Sequence, residues 1–533
     1  MDENEILNPG SQNQPWPPQP EPKPMFGLKK GDTAFAICAV LVCIFASVFG
    51  IFGGFALGYL LSVVFMLVLF AVYFARAGKV SVLPVLCGLL SLANSAVFVC
   101  TSNGSVRFFG VILSFLLALM CFGSWVSGRA KGNRQTFGVY YTALATMGNM
   151  GVAIKSLFSN SNGDKKAIGK VLIGFICAIP VLFVVVPLLI SSDDAFSGMM
   201  ESIFSDAYNT IFKAIFGLFL SLFVVSYGFS LKTGRITKVK EGKSAGIENV
   251  YLISFLAAIC MCYGLYLFSQ LAYFFSAFRG FLPDGEITYA QYARKGFFEM
   301  CIIAVINLGI VFLSLLLAKK TNGKVCHGIK ALATFIAVFT LTIIATAISK
   351  MVLYINAYGM TQLRLTTSAF MVFLTVVFIS VILRIYIKRI NIVKTALLAA
   401  GCVVLILGVA NVNKVCAQYN YESYQAGKLK TIDVSALYDL GDEGIPYIVK
   451  LAGGEDKEVA AVAKRCLARA CLYDYFDGMK NEGAVTVGML QRHEKNPGFG
   501  YFSIPRARAY DSLYRFVEEN PDFGSNPKKY MAP

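Results

Sequence analysis

The sequence predicts an all-α protein: a polytopic transmembrane helix bundle of about eleven spans, followed by a small extracytoplasmic helical C-terminal domain. Three observations carry this. Of the 533 residues, 56% are hydrophobic and only 15% charged, against roughly 45–50% and about 25% in an average soluble domain. Eleven stretches are apolar over the roughly 20 residues that a helix needs to cross a hydrocarbon core. Residues 414–533 break the pattern, with 16 Lys/Arg balanced by 16 Asp/Glu.

Residues 1–32 come first. Pro15, Pro17, Pro18, Pro20, Pro22 and Pro24 remove backbone donors and fix φ, so this leader is expected to be disordered and cytoplasmic. It opens on Asp2, Glu3 and Glu5, unlike the basic start of a cleavable signal peptide, so the first span is expected to persist in the mature protein. The transmembrane domain, 33–413, holds spans near 33–52, 54–75, 80–101, 107–127, 170–191, 211–231, 249–277, 296–318, 330–349, 364–385 and 393–413. Lipid offers backbone amides no partner, so each must be helical. No run alternates as a barrel strand would.

Lys and Arg in short loops mark the cytoplasmic side. With the N-terminus inside, the inner segments hold 25 Lys/Arg and 8 Asp/Glu, and the outer loops hold 7 of each. The net charge of +17 therefore lies entirely on the inner face. It reads as a topology signal and a contact with anionic headgroups, with no need for a nucleic-acid partner. Counting 138–158 as a further span would reverse the bias. Tyr140, Leu144, Met147, Ile154 and Phe158 there recur at helical spacing, which suits either an amphipathic helix on the inner membrane face or a packed loop helix. An odd number of spans places the tail outside, at a bacterial plasma membrane.

The tail is long enough for one small domain. Its strongest helical pattern runs near 456–477, with Val459, Val462, Ala463, Cys466, Leu467 and Ala470 on one face. A short helix is expected after Pro446 and a last one over 506–519, after Pro505. Cys466 and Cys471, five apart on one helix, are poorly placed to bridge, and no disulfide framework is expected.

Several chemistries lack their residues. His327 and His493 are the only histidines, and no Cys/His spacing suits zinc. Glu241-Gly242-Lys243-Ser244 lacks the glycine and strand that precede a phosphate-binding loop, and no nucleophile elbow occurs. No catalytic residue, metal or cofactor is assigned, and an enzyme is disfavoured. The span interiors carry no ionisable residue away from their ends, which argues against an ion-driven carrier. Asn94, Gln270 and Asn307 are expected to bond neighbouring helices.

Three outer-face constellations are candidate ligand or lipid sites. Asp193 and Asp194 follow Ser191-Ser192 and precede an apolar stripe; they suit an acidic ligand site or a helix cap. Arg294 and Glu299 flank the start of a span, where Glu299 could pair with a basic group or bind substrate, or both could snorkel to the interface. Lys350, Tyr354 and Tyr358 share a helical face ahead of Gly359, with Arg364 opening the next span. That cluster suits an anionic headgroup, or an aromatic belt with anchoring cations.

Ser192-Asp193-Asp194-Ala195-Phe196, Tyr292 to Glu299, Tyr354 to Leu365, and Ala410-Asn411-Val412-Asn413 resemble a bacterial multi-pass membrane family catalogued as a domain of unknown function. So do Tyr419 to Asp433, Leu440 to Pro446, and Ile504 to Ala509 in the tail. The resemblance runs over about 190–515 and implies a membrane fold without assigning an activity. Two functional classes remain in front. One is an envelope scaffold or sensor whose tail binds a protein or wall partner. The other is a transporter or lipid-handling protein working through Lys350, Tyr354, Tyr358 and Arg364.

Overall fold

The computed structural model describes residues 30–76, 80–127, 194–233, 247–279, 297–319, 325–387, 390–476, 484–492 and 501–531, with shorter pieces within 139–153 and at 185 and 192. Among these, ten helices form the bundle: α1 (Lys30–Phe45), α2 (Leu57–Tyr73), α3 (Val82–Cys100), α4 (Gly104–Ser127), α5 (Asp194–Lys232), α6 (Asn249–Arg279), α7 (Phe297–Leu317), α8 (His327–Tyr358), α9 (Gln362–Tyr386) and α10 (Ile392–Ala410). Nine of the described helices are long and apolar enough to cross a membrane, and α2 is a shorter apolar helix. These match ten of the expected spans. The eleventh, 170–191, and the proline leader lie outside the described residues.

Two boundaries differ from expectation. The stretch opened by Asp194 is continuous with the following span, so α5 runs 39 residues without a break. Helix α8 continues to Tyr358, past the expected end near 349, until Gly359 at φ 79 stops it. Of 138–158, pieces within 139–153 are described, and several of their residues pack against the bundle. Val139 is buried, the Tyr140 hydroxyl donates to the Leu116 carbonyl at 3.4 Å, and the Thr146 carbonyl accepts from Ser226 at 2.6 Å. Tyr141 and Leu144 of the same stretch are exposed, so it packs on the bundle along one side only.

The helices sort into two groups. Helices α1 to α5, α10 and the C-terminal residues share one buried core, which includes Phe70, Phe122, Leu117, Met120 and Val404. Helices α6 to α9 enclose two smaller cores, around Ile336 and Phe378. Small residues let α3 and α10 touch closely. A Cβ on Gly408 would stand 2.1 Å from Val97, and one on Gly401 would stand 2.7 Å from Leu90. Buried polar side chains bridge helices as expected: Asn94 donates to the Gly401 carbonyl at 3.1 Å, and Asn307 accepts from Tyr263 at 2.6 Å and donates to Thr340 at 2.9 Å. Such bonds are worth about 0.6 kcal/mol each in a membrane. The side chain of Gln270 lies outside the described residues.

One end of the bundle is tied by charge. Asp32 at the start of α1 is buried, receives the Tyr73 hydroxyl at 2.8 Å, and pairs with Lys232 at the end of α5. Lys232 also lies 4.6 Å from the Tyr73 ring centroid. Asp32→Ala leaves a hydroxyl and an ammonium without this acceptor, so it should destabilise the bundle by about 2 kcal/mol. Lys232→Ala should cost less, because Lys232 is 41% exposed. Thermal unfolding of the two variants in detergent measures the difference.

After α10 the chain builds short helices: α11 (Val412–Gln425), α12 (Val434–Tyr438), α13 (Ile445–Ala452), α14 (Lys457–Arg469), α15 (Val487–Arg492), α16 (Ile504–Glu519) and α17 (Pro521–Ser525). Their apolar faces meet in Ile448, Ala463, Leu467, Leu513 and Phe516, continuous with the bundle core. Pro446 and Pro505 sit in the first turns of α13 and α16, where a missing N–H costs nothing.

Candidate functional site

The C-terminal helices are fastened to the bundle by a buried polar clasp. Its bundle side is the turn Thr101–Asn103 between α3 and α4. Its other side is Asn411, Asn413 and Glu443. Asn411 adopts a left-handed backbone, φ 57, which asparagine tolerates better than most side chains. That kink ends α10, and the Asn411 amide then donates to the Cys100 carbonyl at 2.7 Å. Asn103 caps α4 by accepting from the Val106 N–H at 3.0 Å, and donates to Asn413 at 2.6 Å. Asn413 in turn donates to the Leu440 carbonyl at 2.8 Å.

Glu443 is the centre of the clasp. It is only 5% exposed. Its Oε1 accepts from the Ser102 N–H at 2.8 Å and from Thr101 at 3.4 Å, and its Oε2 accepts from the Ser102 hydroxyl. The Ser102 N–H lies just ahead of α4, where the helix dipole also favours an anion. Gly444 lets this segment turn in, since a Cβ there would stand 2.0 Å from the Leu437 carbonyl. Arg107, one turn into α4, braces the same turn by donating to the Thr101 and Phe98 carbonyls at 2.8 and 3.1 Å.

Beside the clasp a cleft of about 230 Å³ opens between Tyr438, Gly441, Asp442, Ile445, Asp474, Tyr475 and Arg506. The Tyr475 hydroxyl donates to Asp442 at 2.9 Å, and Tyr438 donates to Asp474. The Arg506 guanidinium lies 5.8 and 5.4 Å from the Tyr475 and Tyr510 ring centroids and donates to the Tyr510 hydroxyl at 3.1 Å. Burial raises the Asp442 carboxyl above the usual range, and the Tyr475 bond and Arg506 partly oppose this. Burial, then Asp442, pushes Tyr475 well up. Chemically, the cleft can offer carboxylate acceptors, one guanidinium and aromatic edges to a small polar group.

The Asp442 shift has a signed consequence. Its folded pKa lies above its unfolded one, so the folded state binds this proton more readily. Stability from this group is present below the unfolded pKa and is lost as pH rises through the folded pKa. Asp442→Asn should therefore unfold at a higher temperature than the parent at neutral pH, and the advantage should vanish below about pH 4. Melting curves across pH check this.

Two further contacts join the C-terminal helices to the same end of the bundle. Asn420 of α11 accepts from the Met360 N–H at 2.7 Å and donates to the Met360 carbonyl at 2.8 Å, in the turn between α8 and α9. The Leu57 N–H donates to the Phe502 carbonyl at 3.3 Å, at the start of α2. All three bundle turns are ones that the charge count assigns to a single face. The Asp32–Lys232 pair lies at ends assigned to the other.

The structure treats the candidates from the sequence unevenly. Tyr354, Tyr358 and Arg364 converge: the Arg364 guanidinium lies 4.0 Å from the Tyr354 ring centroid, and the two tyrosine rings meet edge to face at 5.4 Å. Arg364 also donates to the carbonyls of Tyr358, at 3.2 Å, and Gly359, so it caps the C-terminus of α8. Lys350, two turns before Tyr358, is buried at 9% exposed. Glu299 is exposed in the first turn of α7. Asp194 begins α5, with its side chain outside the described residues, as are Asp193 and Arg294. Among the described residues, no group of three His, Cys, Asp or Glu side chains is placed to hold a metal. The clasp is not among the candidates that the sequence offers. Its only sequence signals are Asn411 and Asn413 after an apolar span, and the glycine-flanked acidic pair Asp442-Glu443.

The family described as "Domain of unknown function (DUF4153)" matches residues 60–451. The match begins within α2, far ahead of the resemblance that starts near 190, and ends in α13, so Ile504 to Ala509 lie beyond it. It contains both halves of the clasp, while Asp474, Tyr475 and Arg506 of the cleft fall outside it. No curated protein and no solved structure matches the chain.

Proposed function

The chain belongs to the DUF4153 family, and on that footing we propose that this integral membrane protein is an envelope scaffold or sensor. Its C-terminal helices stand outside a bacterial plasma membrane and receive a partner there. The observation that supports this reading is the Glu443 clasp. A carboxylate from the C-terminal helices is buried against the turn between two membrane-spanning helices. Whatever pulls on or fills the outer helices acts directly on the ends of α3, α4 and α10. The adjacent cleft gives such a partner polar anchors.

The transporter or lipid-handling reading draws less support. Arg364, its principal cation, is engaged by the carbonyls at the end of α8, and Lys350 faces a packed interior. Complementation in cells lacking the protein separates the two. Loss of function on removing residues 414–533, with function retained in Lys350→Ala and Arg364→Ala, supports the scaffold or sensor. Full function without those residues rejects it.

A further inference from the structure

The segment 501–504 links the C-terminal helices to the membrane boundary. Helix α2 begins at Leu57, and its first N–H donates to the Phe502 carbonyl at 3.3 Å. The Tyr501 hydroxyl donates to the Phe52 carbonyl at 3.4 Å. Gly54 makes this approach possible: it sits at φ 87, and a Cβ there would stand 2.3 Å from the Tyr501 ring. The backbone of 501–502 is thus held at the turn between the candidate span Gly31–Ile51 and the shorter apolar helix α2. Two large apolar side chains at this place are nonetheless open, Phe502 at 50% and Ile504 at 39%. Neighbouring Ser503 and Pro505 are buried, so the alternation turns Phe502 and Ile504 outward together. On α4, which starts at the same end of the bundle, Phe108 and Phe109 are exposed as well.

Exposed apolar side chains that gather on one face mark a contact surface. Here position argues for the occupant, because the pair lies beside the end of the candidate span Gly31–Ile51, and aromatic side chains collect at the level where such spans leave a bilayer. We propose that Phe502 and Ile504 insert into the headgroup–acyl boundary of the bilayer that the bundle spans. They act as a second, lipidic fastening of the C-terminal helices beside the Glu443 clasp. The fastening works like an interfacial anchor, with a backbone tether supplying the depth and two side chains the apolar contact. It depends on the bundle crossing a membrane, and it holds whichever side the C-terminal helices face.

The test uses the full chain with Trp16 and Trp125 replaced by Phe, carrying either Phe502→Trp or Ile504→Trp. Each is reconstituted in phosphatidylcholine–phosphatidylglycerol vesicles with or without lipid brominated near the glycerol end of its chains. Insertion predicts a blue-shifted tryptophan emission, a marked loss of emission with the brominated lipid, and little quenching by aqueous iodide. Emission that iodide quenches and brominated lipid does not overturns the proposal. So does emission that neither quenches, which would place the side chain against protein. Should one variant fail to elute as folded protein, the same quenching pattern in the other decides the question.

Discussion

Glu443→Ala should release the C-terminal helices from the bundle. The substitution removes the carboxylate at the centre of the clasp and leaves the half-buried Ser102 N–H and hydroxyl without it, while the Thr101 hydroxyl keeps Asn411 as an acceptor at 3.3 Å. Hydrogen bonds to a charged group are worth roughly 1.5–3 kcal/mol each, and two to Ser102 are lost in a half-buried setting, so a loss of about 3 kcal/mol is expected. The helices also pack on one another through Ala463, Leu467 and Leu513, in a core continuous with that of the bundle, so they should loosen from the bundle together. Limited proteolysis is the readout: cleavage near Gly427–Lys430 and at the 411–413 junction should accelerate, while the membrane helices stay protected. Glu443→Gln should fall between the two, since its amide oxygen can still accept from Ser102 but carries no charge. An unchanged digestion pattern in Glu443→Ala would show that the apolar contacts and the asparagine bonds hold the helices in place without it.

Gly408→Leu should damage the bundle itself. The nearest atom to a Cβ at 408 is a methyl of Val97 on α3, at 2.1 Å, and Val97 is fully buried. Lipid supplies no hydrophobic drive for helix association, so close packing is what joins α3 to α10. Forcing them apart would also strain the Asn94 bond to Gly401 and the Asn411 bond to Cys100. Overpacking costs typically 1–3 kcal/mol, and the upper part of that range, about 3 kcal/mol, is expected here. Size-exclusion profiles and melting in detergent measure it. The paired change Gly408→Leu with Val97→Ala should recover part of the loss, because it restores the volume.

How much of this is legible in the sequence depends on the range of the interaction. Spans and caps are local, and they can be read. Apolar runs locate ten helices, though α5 begins well before and α8 ends well after the expected span, and Pro446 and Pro505 mark two helix starts. The Lys/Arg distribution groups the turns at 52–57, 101–103 and 359–361 on one face, and these are the turns that the C-terminal helices touch. The clasp is not legible, because Thr101 and Glu443 are 342 residues apart and each is ordinary alone. The Lys350 site illustrates a different limit. Its spacing to Tyr354 and Tyr358 follows from helix geometry, but α8 is apolar all round, so nothing in the pattern says which face meets neighbours. Packing turns Lys350 inward and brings Arg364 back onto the carbonyls of α8.

Thiol labelling reads out whether the clasped helices stand outside the cell, as proposed. Glu455→Cys places a cysteine on an exposed turn between α13 and α14. The variant is treated in intact cells with a membrane-impermeant maleimide, and its signal is compared with that of the unaltered chain. Labelling above that background before lysis is the predicted result. Labelling that appears only after lysis would put the clasp, the cleft and any partner in the cytoplasm, and would overturn the outward placement of the C-terminal helices.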